Sequence, residues 1–171
     1  MDTQFFANFP ADVLRRYLEF LLWHYRVTDA FWFLFVAEQH GQAEAERLNE
    51  LVWARAASLA ARDLLTRFPP SERGLVGLEQ TLRWYPWCVL IGYRFEWIAG
   101  ELFIAVPECP SQVARLQRGL GEYRCKEMHR REFENFARVV DERIRVECLF
   151  APPDPHPPDM YCRWRFFITE E

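Results

Sequence analysis

The chain has 171 residues, of which 50% are hydrophobic and 16% aromatic, enough for one domain with a substantial core. Its net charge is −4, and glutamates interleave with the arginines of its most basic stretch, which argues against a nucleic-acid-binding protein. We find neither the pattern of a secretory signal nor an apolar run long enough to span a membrane. We therefore expect a cytoplasmic protein that binds neither nucleic acid nor a membrane.

The first part of the chain, residues 1–83, predicts helices. Pro10 suits a first helical turn, and Thr28 or Asp29 is the expected cap of a second helix through "AFWFLFVAEQH", which Gly41 would end. A long third helix, "QAEAERLNELVWARAASLAARDLLTRF", stops at two consecutive prolines, and "GLVGLEQTLRW" predicts a short fourth helix.

The second predicted helix has an unusually aromatic start. Its run "FWFLF" is apolar on nearly every side, so the helix must be buried, and a homodimer interface would bury it. Trp32 would then be a core residue or a pocket wall. Asp29 has two interpretations: it caps this helix, or it pairs with His24 in general acid–base chemistry.

In the second part, residues 84–171, the spacing of the apolar residues changes from a helical repeat to alternation. In "WCVLIGYRFEW" every second residue is apolar or aromatic, which predicts a strand whose aromatic face carries Trp87, Tyr93 and Trp97. This face is either the wall of a small-molecule pocket or a core face beneath helices.

The remaining elements complete a predicted α+β fold. A turn at "AG" leads into "ELFIAV", helices follow in "PSQVARLQRGL" and over residues 127–140, and the strands "RIRVECLF" and "MYCRWRFFI" end the chain. The order of elements predicts a single domain in which N-terminal helices pack on a four-stranded antiparallel sheet that ends in a β-hairpin.

The loop of that last hairpin, "CLFAPPDPHPPDMYC", holds five of the eleven prolines and has a cysteine at each end. Strand alternation turns Cys148 and Cys162 to the inner face, and pairing of residue 150 with residue 160 would set them opposite each other, close enough to share a metal. Cys125 would be a third zinc ligand; the candidates for a fourth are Asp154, His156, Glu147 or a water. The alternative is three buried thiols that behave as small hydrophobic side chains.

A second polar group lies in "CPSQVAR", where Cys109, Gln112 and Arg115 share one side of a predicted helix. Together with Cys125 and Lys126 they would form a corner that binds an anion or a carboxylate, because arginine suits bidentate carboxylate recognition and a nearby cation lowers the pKa of a thiol. The alternative is a helix cap followed by ordinary surface arginines.

These cysteines belong to a longer motif over about residues 105–166: C-x-x-Q-x-A-R, then C-K, a further cysteine, P-P-D-x-H-P and C-x-W-x-F. The motif, together with "TDAFWFLFVAEQHG" and "LNELVW", resembles an uncharacterised family of prokaryotic cytosolic proteins. Such proteins are more distantly similar to vinyl-4-reductase-type ligand-binding domains and to aminothiazoline-carboxylate hydrolase-like proteins.

The resemblance to vinyl-4-reductase-type domains implies an α+β fold with a ligand pocket between helices and sheet. It also implies a zinc on the C-terminal hairpin, held by a Cys, a Glu and two further Cys. Cys125 matches the first of these ligands, Cys148 the Glu position and Cys162 the last. Ala151 stands where the remaining Cys is expected, so either Asp154 or His156 replaces it or the site is lost.

Three functions remain open at this point. The first is a small-molecule-binding domain for an apolar or aromatic ligand, with a structural zinc; its predicted ligand contacts are Trp32, Trp87, Tyr93, Trp97, Cys109, Gln112 and Arg115. The second is a hydrolase of a small carboxylate-bearing substrate, which would use a reactive thiol or a three-ligand zinc. The third is a structural or partner-binding protein without a ligand, which the absence of an enclosed pocket would favour.

Overall fold

A computed structural model describes residues 3–169 and confirms the predicted α+β fold with its C-terminal β-hairpin. A 3-10 turn at Gln4–Phe6 comes first. The other elements are α1 (Ala11–His40), α2 (Gln42–Arg67), α3 (Gly74–Leu82), α4 (Pro86–Ile91), β1 (Arg94–Ile98), β2 (Glu101–Val106), α5 (Pro110–Gln117), α6 (Lys126–Val140), β3 (Ile144–Phe150) and β4 (Cys162–Ile168). The strands form one antiparallel sheet in the order β1-β2-β4-β3.

Helix α6 lies at the centre of the packing, between the sheet and α2. The inner face of the sheet is apolar because strand alternation places residues such as Ile104, Trp164 and Phe166 there, and all three are fully buried. Helix α2 buries a face that repeats every fourth residue; its members are Ala45, Asn49, Trp53, Ala57 and Ala61. The alanines of that face let α2 approach α6 closely.

The first two predicted helices are one continuous helix, so the prediction of a cap at Thr28 or Asp29 is wrong. Residues 11–40 contain no glycine or proline that would break the helix. The Thr28 hydroxyl donates a hydrogen bond to the His24 carbonyl oxygen at 2.9 Å, inside the helix. Gly41, with φ of 88°, ends α1 as predicted.

The predicted strand over residues 87–97 is also wrong in its first half. Pro86 occupies the first turn of α4, and Gly92 adopts a left-handed conformation with φ of 75° at its C-terminus. The strand β1 begins only at Arg94. Trp87 therefore lies on a helix, and the aromatic face predicted to unite Trp87, Tyr93 and Trp97 does not exist.

Helix α1 packs on the rest of the chain only along part of its length. Val36 is its one buried residue among those described. Its exposed apolar side chains are Leu14, Tyr17, Leu18, Phe20, Leu21, Trp23, Tyr25, Phe31, Trp32 and Phe35. The "FWFLF" run is therefore not buried within one chain. Within residues 3–169, no helix combines the length and the apolar character needed to cross a membrane.

Candidate functional site: a cavity beside helix α6

A partly enclosed cavity of about 140 Å³ lies among α1, α2, α4, α5 and α6. Phe33, Trp53 and Trp87 supply most of its aromatic wall, and Asp29 and Glu132 bring carboxyl groups to it from two different helices. A second cavity of about 20 Å³ shares five lining residues with the first: Ile91, Cys109, Gln112, Cys125 and His129. Both cavities lie against α6.

Glu132 is the most buried charged group of the site, with 1% of its surface exposed. One carboxylate oxygen accepts a hydrogen bond from the Tyr85 hydroxyl at 2.8 Å, and the other lies 2.7 Å from His129 Nδ1. These contacts satisfy a carboxylate that burial alone would strongly disfavour. A glutamate carboxyl group in contact with Nδ1 of a histidine is the arrangement of catalytic carboxylate–histidine pairs.

Asp29 lines the same cavity from α1. Burial, followed by the nearby charge of Glu132, raises the pKa of Asp29 to about 6, and a hydrogen bond from the Trp53 side chain offsets part of that rise. Burial also raises the pKa of Tyr25, and the charges of Asp29 and Glu132 raise it further. The pairing of Asp29 with His24 considered from the sequence does not form, because His24 stacks on Phe20 along the exposed side of α1.

The structure brings together part of the predicted ligand-binding set. Trp87, Cys109, Gln112 and Arg115 line the larger cavity, and Tyr93 lines the smaller one. Trp32 and Trp97 line neither of them. Trp32 is 59% exposed on the outer side of α1, and Trp97 donates its indole hydrogen to Glu79 at 2.6 Å.

Gln112 and Arg115 hold the chain that follows α5. Gln112 accepts a hydrogen bond from the backbone nitrogen of Tyr123 and donates one to its carbonyl oxygen, both at 2.8 Å. The Arg115 guanidinium donates to the carbonyl oxygens of Leu120 and Gly121 at 3.3 and 3.2 Å. Lys126 is ion-paired with Asp154, so it does not join Arg115 in an anion-binding corner.

The thiols of the site are protonated at neutral pH. Cys109, Cys125 and Cys162 line the smaller cavity, and none of them forms a disulfide. Burial raises the pKa of all three thiols, that of Cys162 to about 12. A reactive cysteine needs the opposite environment, with a cation that lowers its pKa.

The residues predicted to hold zinc come together only in part, because Cys125 and Cys162 line the smaller cavity and the other predicted ligands do not. Cys148 lies opposite Trp164 in the β3–β4 register, so its predicted pairing with Cys162 is wrong by two residues. Asp154 pairs with Lys126 at 2.8 Å, and His156 Nε2 lies 3.0 Å from Glu122. Over residues 3–169, no group of three or more His, Cys, Asp or Glu side chains is placed to hold a metal ion. The set does not fit zinc, which stays a prediction from the sequence.

The sequence reasoning missed His129, Glu132 and Trp53. Helical spacing places Glu132 in the middle of the stripe that also contains Cys125, Met128 and Phe136, so a charged residue interrupts the apolar face of α6. A charged residue at such a position is the signal that could have identified the site.

The fold and the cavity define a helix-covered α+β domain with an aromatic, partly acidic pocket. The chain belongs to a family of unknown function (DUF6125), whose model matches residues 15–168. It has no match among the curated proteins. The prediction of an uncharacterised family is thus confirmed, whereas the more distant likeness to vinyl-4-reductase-type domains and aminothiazoline-carboxylate hydrolase-like proteins stays a prediction.

Proposed function

We propose that the protein binds a small, mostly apolar or aromatic molecule in the cavity beside α6. The observation that carries this proposal is a space of about 140 Å³ with aromatic walls and a few fixed polar groups, the usual composition of a small-molecule site. An engineered apolar cavity of about 150 Å³ binds benzene, so a space of this size fits a ligand with one aromatic ring. The predicted resemblance to vinyl-4-reductase-type domains supports the same function.

An unpaired polar group in the wall supports a ligand rather than a packing defect. Trp87 is 92% buried, since 8% of its surface is exposed, and its indole Nε1 has no hydrogen bond of normal geometry among the described residues, although the Tyr25 hydroxyl lies near it. Buried polar groups in folded proteins normally have a partner. A bound molecule or an ordered water would supply one here.

The hydrolase alternative has less support. The thiols of Cys109 and Cys125 are kept protonated by burial, and the predicted zinc ligands do not form a group that could activate water. The His129–Glu132 pair is the arrangement that could act as a general base. We rank binding first because the cavity accounts for it without a reaction.

The proposal is tested by titrating single-ring aromatic compounds into the full chain by isothermal calorimetry, with 2-phenylethanol, 2-phenylethylamine and 3-phenylpropionate as probes. Ala114→Leu narrows the cavity and is expected to weaken binding of any probe about tenfold or more. Gln117→Leu, an exposed position on the same helix outside the cavity, is the matched control. Binding of no probe, or equal binding by both variants, would overturn the proposal.

We also propose that the protein is a homodimer whose copies pack through α1. Nine of the exposed apolar side chains on α1 are each about half exposed: Leu14, Tyr17, Leu18, Phe20, Leu21, Trp23, Phe31, Trp32 and Phe35. At about 150–250 Å² per large side chain this amounts to roughly 800 Å² per copy, the area that each partner buries in a standard interface.

The charged residues of α1 favour a second copy of the chain as the partner that covers its exposed apolar side chains. The polar stripe of the first half of α1 carries two acids and two bases, Asp12, Arg15, Arg16 and Glu19. Such a stripe complements itself when two copies pack antiparallel about a two-fold axis. The double variant Leu18→Glu/Leu21→Glu is expected to be monomeric by sedimentation velocity, whereas Leu149→Glu, an exposed leucine on β3, stays dimeric. A native chain that sediments as a monomer would contradict the proposal.

A further inference from the structure

We propose that the ligand of this cavity carries a protonated nitrogen beside its aromatic ring, so that it belongs to the arylalkylamines. The nitrogen would sit between Asp29 and Glu132, and the ring would lie against Trp53 and Trp87. The inference rests on the proposed small-molecule binding and names the chemical class of the ligand.

The first support is a pair of carboxyl groups without a lysine or arginine partner. Asp29 reaches the cavity from α1 and Glu132 from α6. Within residues 3–169, neither forms an ion pair with a lysine or an arginine; Glu132 contacts His129 and Tyr85, and Asp29 accepts a hydrogen bond from the Trp53 side chain. Buried charges in proteins are normally paired, so Asp29 is the carboxyl group whose charge a bound cation would pair.

The second support is the proximity of Glu132 to Asp29. Burial, and after it the nearby charge of Glu132, raises the pKa of Asp29 to about 6. An ionised Asp29 at neutral pH is therefore costly, and a bound cation would remove that cost. Protonation of Asp29 below its pKa removes the charge that attracts the cation.

The cations around the cavity do not neutralise this pair. Arg26 on α1 and Arg115 and Arg118 on α5 line it, but none is ion-paired with Asp29 or Glu132. Arg115 is hydrogen-bonded to two backbone carbonyl oxygens, and its guanidinium carbon lies 6.0 Å from the centre of the Phe33 ring. The three arginines outnumber the two carboxyl groups of the lining, so the attraction of a cation is local to the space between Asp29 and Glu132.

The third support is the aromatic cluster next to Asp29. The Trp53 and Trp87 rings meet edge to face at 5.2 Å between centroids, and Tyr25 contacts both, at 6.1 and 5.5 Å. Ring faces attract cations, tryptophan most strongly, and clusters of this kind recognise ammonium groups. A metal ion is a poorer occupant, because no metal-binding group is found over residues 3–169.

The three probes named above separate this inference from the proposed function, because they share one ring and differ in charge. We expect 2-phenylethylamine to bind the full chain about tenfold or more tightly than 2-phenylethanol at pH 7.5, with 3-phenylpropionate weakest. Asp29→Asn should lower the affinity for the amine to that for the alcohol and leave the alcohol within about twofold. Asp12→Asn, an exposed acid of the same helix, is the matched control.

The pH dependence gives a second readout on the native protein. Lowering the pH through about 6 protonates Asp29, so the affinity for the amine should fall while that for the alcohol stays constant. If the amine and the alcohol bind equally and Asp29→Asn changes neither, the inference is overturned and the proposed binding function stands. If no probe binds, both are overturned.

Discussion

The two ends of α6 differ in how they use buried space. Toward the C-terminal end, the filled side, Phe136 is fully buried and its ring packs against that of Tyr85 at 5.1 Å between centroids. Toward the N-terminal end, the cavity side, His129 and Glu132 border a cavity and bring polar groups into the interior. Filling one side stabilises the fold, whereas empty volume and buried charge destabilise it. The cavity side therefore gives up stability, as binding sites commonly do.

The largest expected effect is on the filled side. Phe136 is fully buried, so Phe136→Ala removes a ring and leaves a cavity, and we expect the free energy of unfolding to fall by about 3–5 kcal/mol. Urea denaturation monitored by tryptophan fluorescence measures this. Arg138→Ala, at an exposed position two residues further along α6, should change it by no more than about 0.5 kcal/mol. Equal effects of the two variants would contradict the contrast between the two sides.

On the cavity side, the hydrogen bond from Tyr85 to Glu132 can be removed with little change of volume. We expect Tyr85→Phe to lower the free energy of unfolding by about 1.5–3 kcal/mol, because a buried carboxylate then loses one of its two partners. Tyr17→Phe, at a ring 40% exposed on α1, should have almost no effect. A neutral result for Tyr85→Phe would mean that Glu132 is protonated or hydrated in the folded protein.

Replacing Asp29 should raise the free energy of unfolding, whereas replacing Tyr85 should lower it. Its pKa is raised from 3.8 to about 6 in the folded chain, so the folded state binds the proton more tightly than the unfolded state does. The contribution of Asp29 to the free energy of unfolding therefore falls as the pH rises between these values. Asp29→Asn removes that cost, and we expect it to stabilise the protein by about 1–2 kcal/mol at pH 7.5 and not at all near pH 4.

Paired urea titrations of the native chain and Asp29→Asn at the two pH values measure this difference. Asp63→Asn, at an exposed acid on α2 that is ion-paired with Arg67, is the control and should not stabilise the protein at pH 7.5. A variant less stable than the native chain at pH 7.5 would show that the hydrogen bond from Trp53 to Asp29 outweighs the cost of burying the carboxylate.

Regular patterns made the class of fold predictable, whereas the site depends on contacts between distant segments. Alternation in "MYCRWRFFI" identified the last strand and its inner face, because alternate residues at the start of β4 are buried. In "WCVLIGYRFEW" the same alternation misled, because Pro86 and Gly92 make a short helix of its first half. Their positions are the usual signals for helix ends, and they outweigh a pattern of period two over so short a stretch.

The site itself was only partly predictable for a different reason. Trp87, Cys109, Gln112 and Arg115 were chosen for their chemistry and do line the cavity. Asp29 and Glu132 are 103 positions apart by their residue numbers, and nothing local to either indicates that they share a cavity. Only the packing of α1 and α6 around the same space brings them together.

The smallest expected effect concerns the proline loop between β3 and β4. The backbone nitrogen of Lys126 donates to the Pro152 carbonyl oxygen at 3.0 Å, its ammonium group pairs with Asp154, and Tyr161 donates to the Val106 carbonyl oxygen at 2.9 Å. Because protein groups hold this loop, we expect EDTA to change the melting temperature by less than about 1 °C. A loss of about 1 kcal/mol in the free energy of unfolding would lower it by about 2–4 °C.

Metal analysis of the native chain and of Cys148→Ser accompanies that measurement. The zinc site predicted from the sequence would be supported by two results together. The native chain would contain about one zinc that Cys148→Ser lacks, and EDTA would lower the melting temperature of the native chain. Such a site would also require the hairpin end to rearrange, because Cys148 and Cys162 are not opposite each other in the β3–β4 register. Without zinc, the cysteines act as small buried side chains, and the polar chemistry of the molecule lies on the cavity side of α6.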